Sequence, residues 1–171
     1  MIRVRGNSSR GFDKKGYLLN FKDETLVNNK DVSLVGFSAE SDWVLNGPFL
    51  DKTLIRNYMC YNLAGEIMDY SPNVIFCEVF LNGQYEGLYL LLEKIGRGSD
   101  GRLDLTKTDP KRAETSYILR LDRDAEDELH RLYPFSYYSG INWSNAQGAR
   151  SLEIIYPGAY LTPPAGQIYR G

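Results

Sequence analysis

Apolar and polar positions change period several times along this chain, and each change marks an element. Ile2 and Val4 fall on one side of a short extended segment, with Arg3 and Arg5 on the other, which predicts a first strand. The polar run Gly6-Asn7-Ser8-Ser9-Arg10-Gly11 has loop composition. Lys14 and Lys15 then lead into a second strand over residues 17–21, with Tyr17, Leu19 and Phe21 on one side. Beyond a polar turn at 23–31, residues 32–37 read as a third strand and 38–48 as a connector carrying Trp43. From 51 to 68 the period becomes helical: Leu54, Tyr58, Tyr61, Gly65 and Met68 recur on one face, Asp51 is placed to cap the start, and Pro72 lies past the end.

Two apolar runs then flank Asn82-Gly83. This dipeptide favours positive φ at both central turn positions, the strongest short-range signal for a tight β-hairpin. Both alternation sets before the turn are apolar (Val74, Phe76 and Phe80; Ile75, Cys77, Val79 and Leu81), which places these strands in the middle of a sheet covered on both sides. The second run ends in Glu93-Lys94, charge at the exit of a buried ribbon. Residues 96–101 read as a turn and 102–105 as a short extended piece. Strands are expected at 117–121 and 152–156, separated by a polar and aromatic excursion over 125–149 without clear period. The sum is an α+β fold, a mostly antiparallel sheet with one principal helix packed on it.

Composition narrows the function classes. A chain of 171 residues with 43% hydrophobic content buries a real core and is not disordered. A formal charge of −2 gives no reason to expect attraction to nucleic acid or anionic membrane, and no apolar run approaches the ~18 residues of a membrane span. Cys60 and Cys77 sit in different contexts without CxxC or histidine neighbours, and both read as buried thiols rather than a disulfide or zinc ligands.

Several motifs have bland explanations. Gly96-Arg97-Gly98-Ser99-Asp100-Gly101 fits GxGxxG, but no helix opens at the third glycine and no lysine-bearing strand follows, so a glycine turn is favoured over a phosphate cradle. Asp122, Asp124, Glu126, Asp127 and Glu128 have calcium-loop spacing with Asp127 where the required glycine belongs, which favours a solvated acidic turn. His130 is the single histidine and has no nucleophile context; it reads as a surface residue. No metal ligand set is expected within the chain. The basic loop is the better candidate: Arg3, Arg5, Arg10, Lys14 and Lys15 fall within thirteen residues, among glycines and hydroxyl residues whose N–H groups let an anion approach. A solvated edge hairpin guarded by lysines accounts for the same composition.

Ile2-Arg3-Val4-Arg5-Gly6-Asn7-Ser8-Ser9, Lys14-Lys15-Gly16-Tyr17 leading to Phe21-Lys22, Trp43, Asp51 with Leu54-Ile55-Arg56-Asn57, and Leu81-Asn82-Gly83-Gln84-Tyr85-Glu86-Gly87-Leu88-Tyr89 ending in Glu93-Lys94-Ile95 together resemble the CotH family, the spore-coat protein H atypical protein kinases. Tyr156-Pro157, Leu161-Thr162 and Gln167 extend the resemblance over nearly the whole chain.

The resemblance implies the amino-terminal, nucleotide-facing part of an atypical protein-kinase-like fold. It also implies transfer of the ATP γ-phosphoryl group, with Mg2+, to serine or threonine of a protein substrate. Such chemistry rests on positioning and charge neutralisation. It assigns Lys15 or Lys14 to the phosphates and Glu93 to orienting a basic partner, with Arg5, Asn7, Ser8 and Arg56 as further nucleotide contacts. The family's acidic motifs lie beyond its Tyr-Pro segment, so 1–171 is expected to be a single partial domain without turnover of its own. Compartment stays open among the bacterial cell surface, the spore coat and secretion. The alternative is a non-catalytic surface module in which Tyr133, Tyr137, Tyr138 and Trp143 form a platform for carbohydrate or a protein partner.

Overall fold

The computed structural model describes residues 1–97, 103–105, 116–122, 131–134 and 151–156. The chain divides into two compact units, residues 1–103 and 104–171. The first unit contains strands β1 (Ile2–Arg5), β2 (Gly16–Asn20) and β3 (Asp42–Asn46), helix α1 (Arg56–Ile67), and strands β4 (Val74–Leu81) and β5 (Gln84–Glu93), with a short 3-10 turn at Ser8–Gly11. Its five strands form one sheet in the order β1-β2-β3-β5-β4, every neighbouring pair antiparallel. In the second unit β6 (Ile118–Asp122), β8 (Ser151–Tyr156) and β7 (Arg131–Pro134) form a three-stranded antiparallel sheet with β8 central. The architecture is α+β, as expected. No helix among the described residues is long and apolar enough to cross a membrane.

The five-stranded sheet buries a cluster on each face. One holds Tyr17, Trp43, Leu45, Tyr89 and Leu91, with Phe21, Leu34 and Phe37 of the 21–41 loop packed on it. The other holds Leu18, Val44, Leu90 and Leu92 beneath Tyr58 and Tyr61 of α1. Trp43 and Leu90 are fully buried. The 3.6 and 2.0 periods of helix and strand bring these particular residues to facing positions.

Several expectations need correction. Residues 32–37 are not a strand. Val35 and Gly36 take φ of 49° and 85°, a turn that the Phe37 N–H closes onto the Leu34 carbonyl at 2.9 Å, and only an isolated bridge pairs Val32 with Glu40. The third strand is instead the supposed connector around Trp43, where the consecutive apolar residues Trp43, Val44 and Leu45 feed both clusters from between β2 and β5.

The helix also starts later, at Arg56, although Asp51 still acts on its first turn. Its Oδ2 accepts the Arg56 N–H at 2.9 Å while Oδ1 accepts from the Thr53 N–H and hydroxyl at 3.0 and 2.6 Å. Cys60 on this helix is exposed, because α1 buries none of its residues completely; Cys77 is half-buried and both thiols are free.

Of the two hairpin strands, β5 is interior but β4 ends the sheet, with Ile75 and Phe80 exposed. Asn82 and Gly83 do take φ of 53° and 82°, the tight turn their identity predicts. Finally, the aperiodic excursion contains β7, a short strand whose Pro134 is tolerated because it lies beside a single partner. The calcium-like acidic run after Asp122, His130 and the aromatic residues Tyr137, Tyr138 and Trp143 lie outside the described residues, as does most of the GxGxxG turn.

Candidate functional site

Gly6 begins the basic loop at a φ of 111°, and a Cβ there would fall 1.9 Å from the Ser9 hydroxyl, so only glycine fits. The loop closes with Arg10 N–H donating to the Asn7 carbonyl at 3.1 Å and Phe12 N–H to the Ser9 carbonyl at 3.2 Å. The Lys15 ammonium donates to the Arg10 carbonyl at 2.8 Å and so ties the loop to the start of β2. Phe12 stacks on Phe49 with 5.1 Å between ring centres, joining this loop to the segment after β3.

Lys14 takes a different path. Its chain passes Gly47 and its ammonium rests 4.6 Å from the centre of the Tyr89 ring, a cation–π contact. Two glycines make that path. A Cβ on Gly47 would lie 2.7 Å from the Lys15 carbonyl, 3.0 Å from the Tyr89 ring and 3.1 Å from Lys14 Cγ; one on Gly87 would lie 3.1 Å from the Lys14 ammonium. Gly87 also has a φ of 96°.

Lys15, Lys22, Lys52 and Lys94 each donate to an oxygen. Half-buried Lys14 has no such acceptor among the described residues. Burial lowers its pKa from the usual lysine range and the Glu86 carboxylate acts against that fall. Three N–H donors without an oxygen partner, in a partly desolvated slot, fit an anion such as a phosphate oxygen. Beneath it, Tyr89 is 1% exposed and its hydroxyl, beside Tyr17, has no well-formed hydrogen bond among the described residues. Burial first, then neighbouring Tyr17 and Glu86, push its pKa up to about 12.

The other expected site residues divide by position. Arg5 pairs with Gly16 in register, so Arg5, Asn7, Ser8, Lys14 and Lys15 gather where β1 hands over to β2. Asn57, the second residue of α1, donates to the Asn46 side chain at the end of β3 at 2.9 Å. Its neighbour Arg56 therefore stands at the same end of the sheet but on the α1 face, opposite the face of Tyr89, 76% exposed with its Nε 3.6 Å from Asp51.

Glu93 does not join them. It pairs with Trp43 at the opposite end of β5, four residues beyond Tyr89, or about 13 Å along the strand. It is 2% exposed, with Oε2 accepting from the backbone and side-chain N–H groups of Asn73 at 3.0 and 3.1 Å and Oε1 without a hydrogen bond among the described residues. Its neighbour Lys94 bonds Asp42 at 2.6 Å across to β3. The charged pair at the ribbon's exit thus closes the fold locally, and the structure does not bring Lys15 and Glu93 together. The residue that sequence reasoning left unassigned is Glu86, next to Gly87 and Lys14. Among the described residues no group of three or more His, Cys, Asp or Glu side chains is arranged to hold a metal ion.

An antiparallel five-stranded sheet with its helix inserted between β3 and β4, and a glycine-lined lysine at one end, defines an α+β domain. The CotH kinase protein family model matches residues 2–145, and the chain belongs to that family. The chain is also similar to the inner spore coat protein H of Bacillus subtilis strain 168, 30% identical over 95 residues, which are 55% of this chain and 23% of that protein. It thus spans less than a quarter of that relative's length.

Proposed function

We propose that this chain supplies the nucleotide-facing part of a CotH-type protein kinase that transfers the ATP γ-phosphoryl group to serine or threonine of a protein substrate, and that Lys14 meets the nucleotide's phosphates. The observation that carries this reading is the half-buried Lys14 ammonium, which lacks an oxygen acceptor among the described residues and lies over Tyr89 between Gly47 and Gly87. Phosphoryl transfer asks the protein chiefly to position phosphates and to neutralise their charge. A lysine held in a narrow slot does both as a point charge.

Protein kinases carry the phosphate-binding lysine on a third strand followed by a helix. Here β3 is likewise followed by a helix but has no lysine. Lys14 stands beside the end of β3, at Gly47, and would take that role from the segment just before β2. Arg5, Asn7 and Ser8 would contact the nucleotide from the β1–β2 loop and Arg56 from the start of α1. Bound ATP supplies the group transferred, and its Mg2+ is assigned no ligands among the described residues. A spore-coat setting, as in the name of the Bacillus relative, belongs to the same proposal.

Calorimetric titration with ATP tests the assignment. Lys14→Ala is expected to weaken binding about ten-fold or more, the scale of one charge-assisted contact. Lys15→Ala, which removes a loop tie, is expected to change it far less. Equal affinity in wild type and Lys14→Ala would refute the phosphate role.

A further inference from the structure

The β4–β5 ribbon is regular except at one point. Val79 pairs with Gly87 and Phe80 with Tyr85, so Glu86 is an extra residue opposite no partner, a β-bulge. The bulge takes Glu86 out of the alternation of β5. Gly87, Tyr89 and Leu91 share the face of the Trp43 cluster, and strict alternation would send residue 86 to the other face beneath α1. Tyr85, however, lies with Phe80, their rings 5.1 Å apart, and donates its hydroxyl to Glu78 at 3.0 Å. Phe80 and Glu78 belong with Phe76 to the α1 side, since residues two apart on β4 share a face. With Tyr85 on the α1 side and Gly87 on the Trp43 side, the inserted Glu86 is released from strict alternation and stands next to Gly87, where the Lys14 ammonium rests 3.1 Å from the position a Cβ would take.

The geometry points to Glu86 as the residue that positions Lys14 for its anion, through the bulge that adds it to β5. This rests on the reading of Lys14 as the phosphate contact and replaces the Lys15–Glu93 pair with a Lys14–Glu86 pair within the sheet. Two effects on charge agree with the placement: Glu86 acts on Lys14 to keep it protonated and on Tyr89 to keep its hydroxyl neutral. Glu86 and Lys14 are not within 4 Å as an ion pair, so the carboxylate holds the ammonium charged without occupying its donors. A direct salt bridge would leave the ammonium fewer donors for the phosphate. The second device is steric. Gly87 gives the ammonium room, and its φ of 96° is one that L side chains rarely adopt.

Tyr17 and Tyr89 lie below, Glu86 beside, and Lys15 is turned away onto the Arg10 carbonyl.

The test uses Glu86→Gln, a near-isosteric change at a half-buried position that removes the charge and keeps the side chain's size. The Lys14 amine is followed by NMR against pH in wild type and variant, and ATP affinity is measured at pH 7 and at about pH 9.5, below the ordinary lysine value of 10.5. The expected result is a Lys14 titration that moves to lower pH in Glu86→Gln. With it, the ratio of ATP affinity at the higher pH to that at pH 7 falls about three-fold or more, because the deprotonated amine no longer attracts phosphate. Glu86→Asp should restore part of the ratio. A Lys14 titration identical in wild type and Glu86→Gln overturns the inference while leaving the phosphate reading intact. ATP affinity unchanged in Lys14→Ala overturns the phosphate reading itself, whatever Glu86 does.

Discussion

The Lys14 ammonium lies 4.6 Å from the centre of the Tyr89 ring, and that ring is buried to within 1% of complete exclusion from solvent. A rigid aromatic floor under a mobile cation fixes where the charge stands. Tyr89→Leu should therefore loosen Lys14 and weaken ATP binding several-fold, whereas Tyr89→Phe keeps the ring and should not. Calorimetry on the two variants separates floor from hydroxyl.

The same tyrosine makes the fold sensitive to alkali. Its pKa rises to about 12 in the folded protein against about 10 in an unfolded chain. Between those values the unfolded state releases a proton that the native state keeps, so stability falls as pH climbs past about 10. Tyr89→Phe removes this loss. Denaturant unfolding at neutral pH and again near pH ~11 should show a smaller decline in the variant than in the wild type.

Gly47 has no room for a side chain. An added Cβ would press on the Lys15 carbonyl at 2.7 Å, a backbone atom that cannot swing aside. Gly47→Ala should cost about 1–3 kcal/mol as an overpacked site. It should also displace Lys14, so that ATP affinity drops along with the thermal midpoint; a variant of wild-type stability would show the slot to be wider than described.

Trp43 anchors the opposite half of the sheet. It is fully buried, stacks on Phe37 at 6.2 Å and donates its indole N–H to the Glu40 carbonyl at 2.9 Å. Trp43→Ala should cost about 3–5 kcal/mol in urea unfolding.

Asp51 controls the start of α1. Hydrogen bonds from Thr53 lead the effects that hold its carboxyl below the usual carboxylate range, with the Arg56 N–H adding to them. A depressed carboxylate stabilises above its unfolded value of about 3.9, and the gain is lost as pH falls through the lower native value. Asp51→Ala should speed amide exchange at Arg56 and flatten the acid limb of the stability profile. Exchange at Arg56 unchanged by the substitution would contradict the cap.

Much of this was legible in the residues. Asn82-Gly83 announced its turn, the 3.6 period of Tyr58 and Tyr61 announced a helix that packs by those two rings, and Ile2 to Arg5 alternated as a strand should. Trp43-Val44-Leu45 was missed because a strand buried on both faces shows no alternation, and the glycine and proline of Gly47-Pro48 resemble a connector. Residues 32–37 misled for the converse reason, since Val35 carries β propensity into a turn with positive φ.

At the site, the clustering of Arg5, Lys14 and Lys15 was readable from spacing. The choice between the two lysines was not, because it depends on Gly47 and Gly87 making room for one of them across two strands. Glu93 drew attention as charge at the end of an apolar run, and the structure closes it on Asn73. Glu86 gave no signal, because a one-residue bulge is visible only in the register of its partner strand.

The most direct test of the central claim follows the lysine side-chain amines by NMR while ATP is added. If Lys14 meets the phosphates, its resonance moves saturably with the nucleotide, while that of Lys22, bonded to Asn29 on the far loop, stays in place. ATP binding that shifts other lysines and leaves Lys14 unmoved would contradict the account.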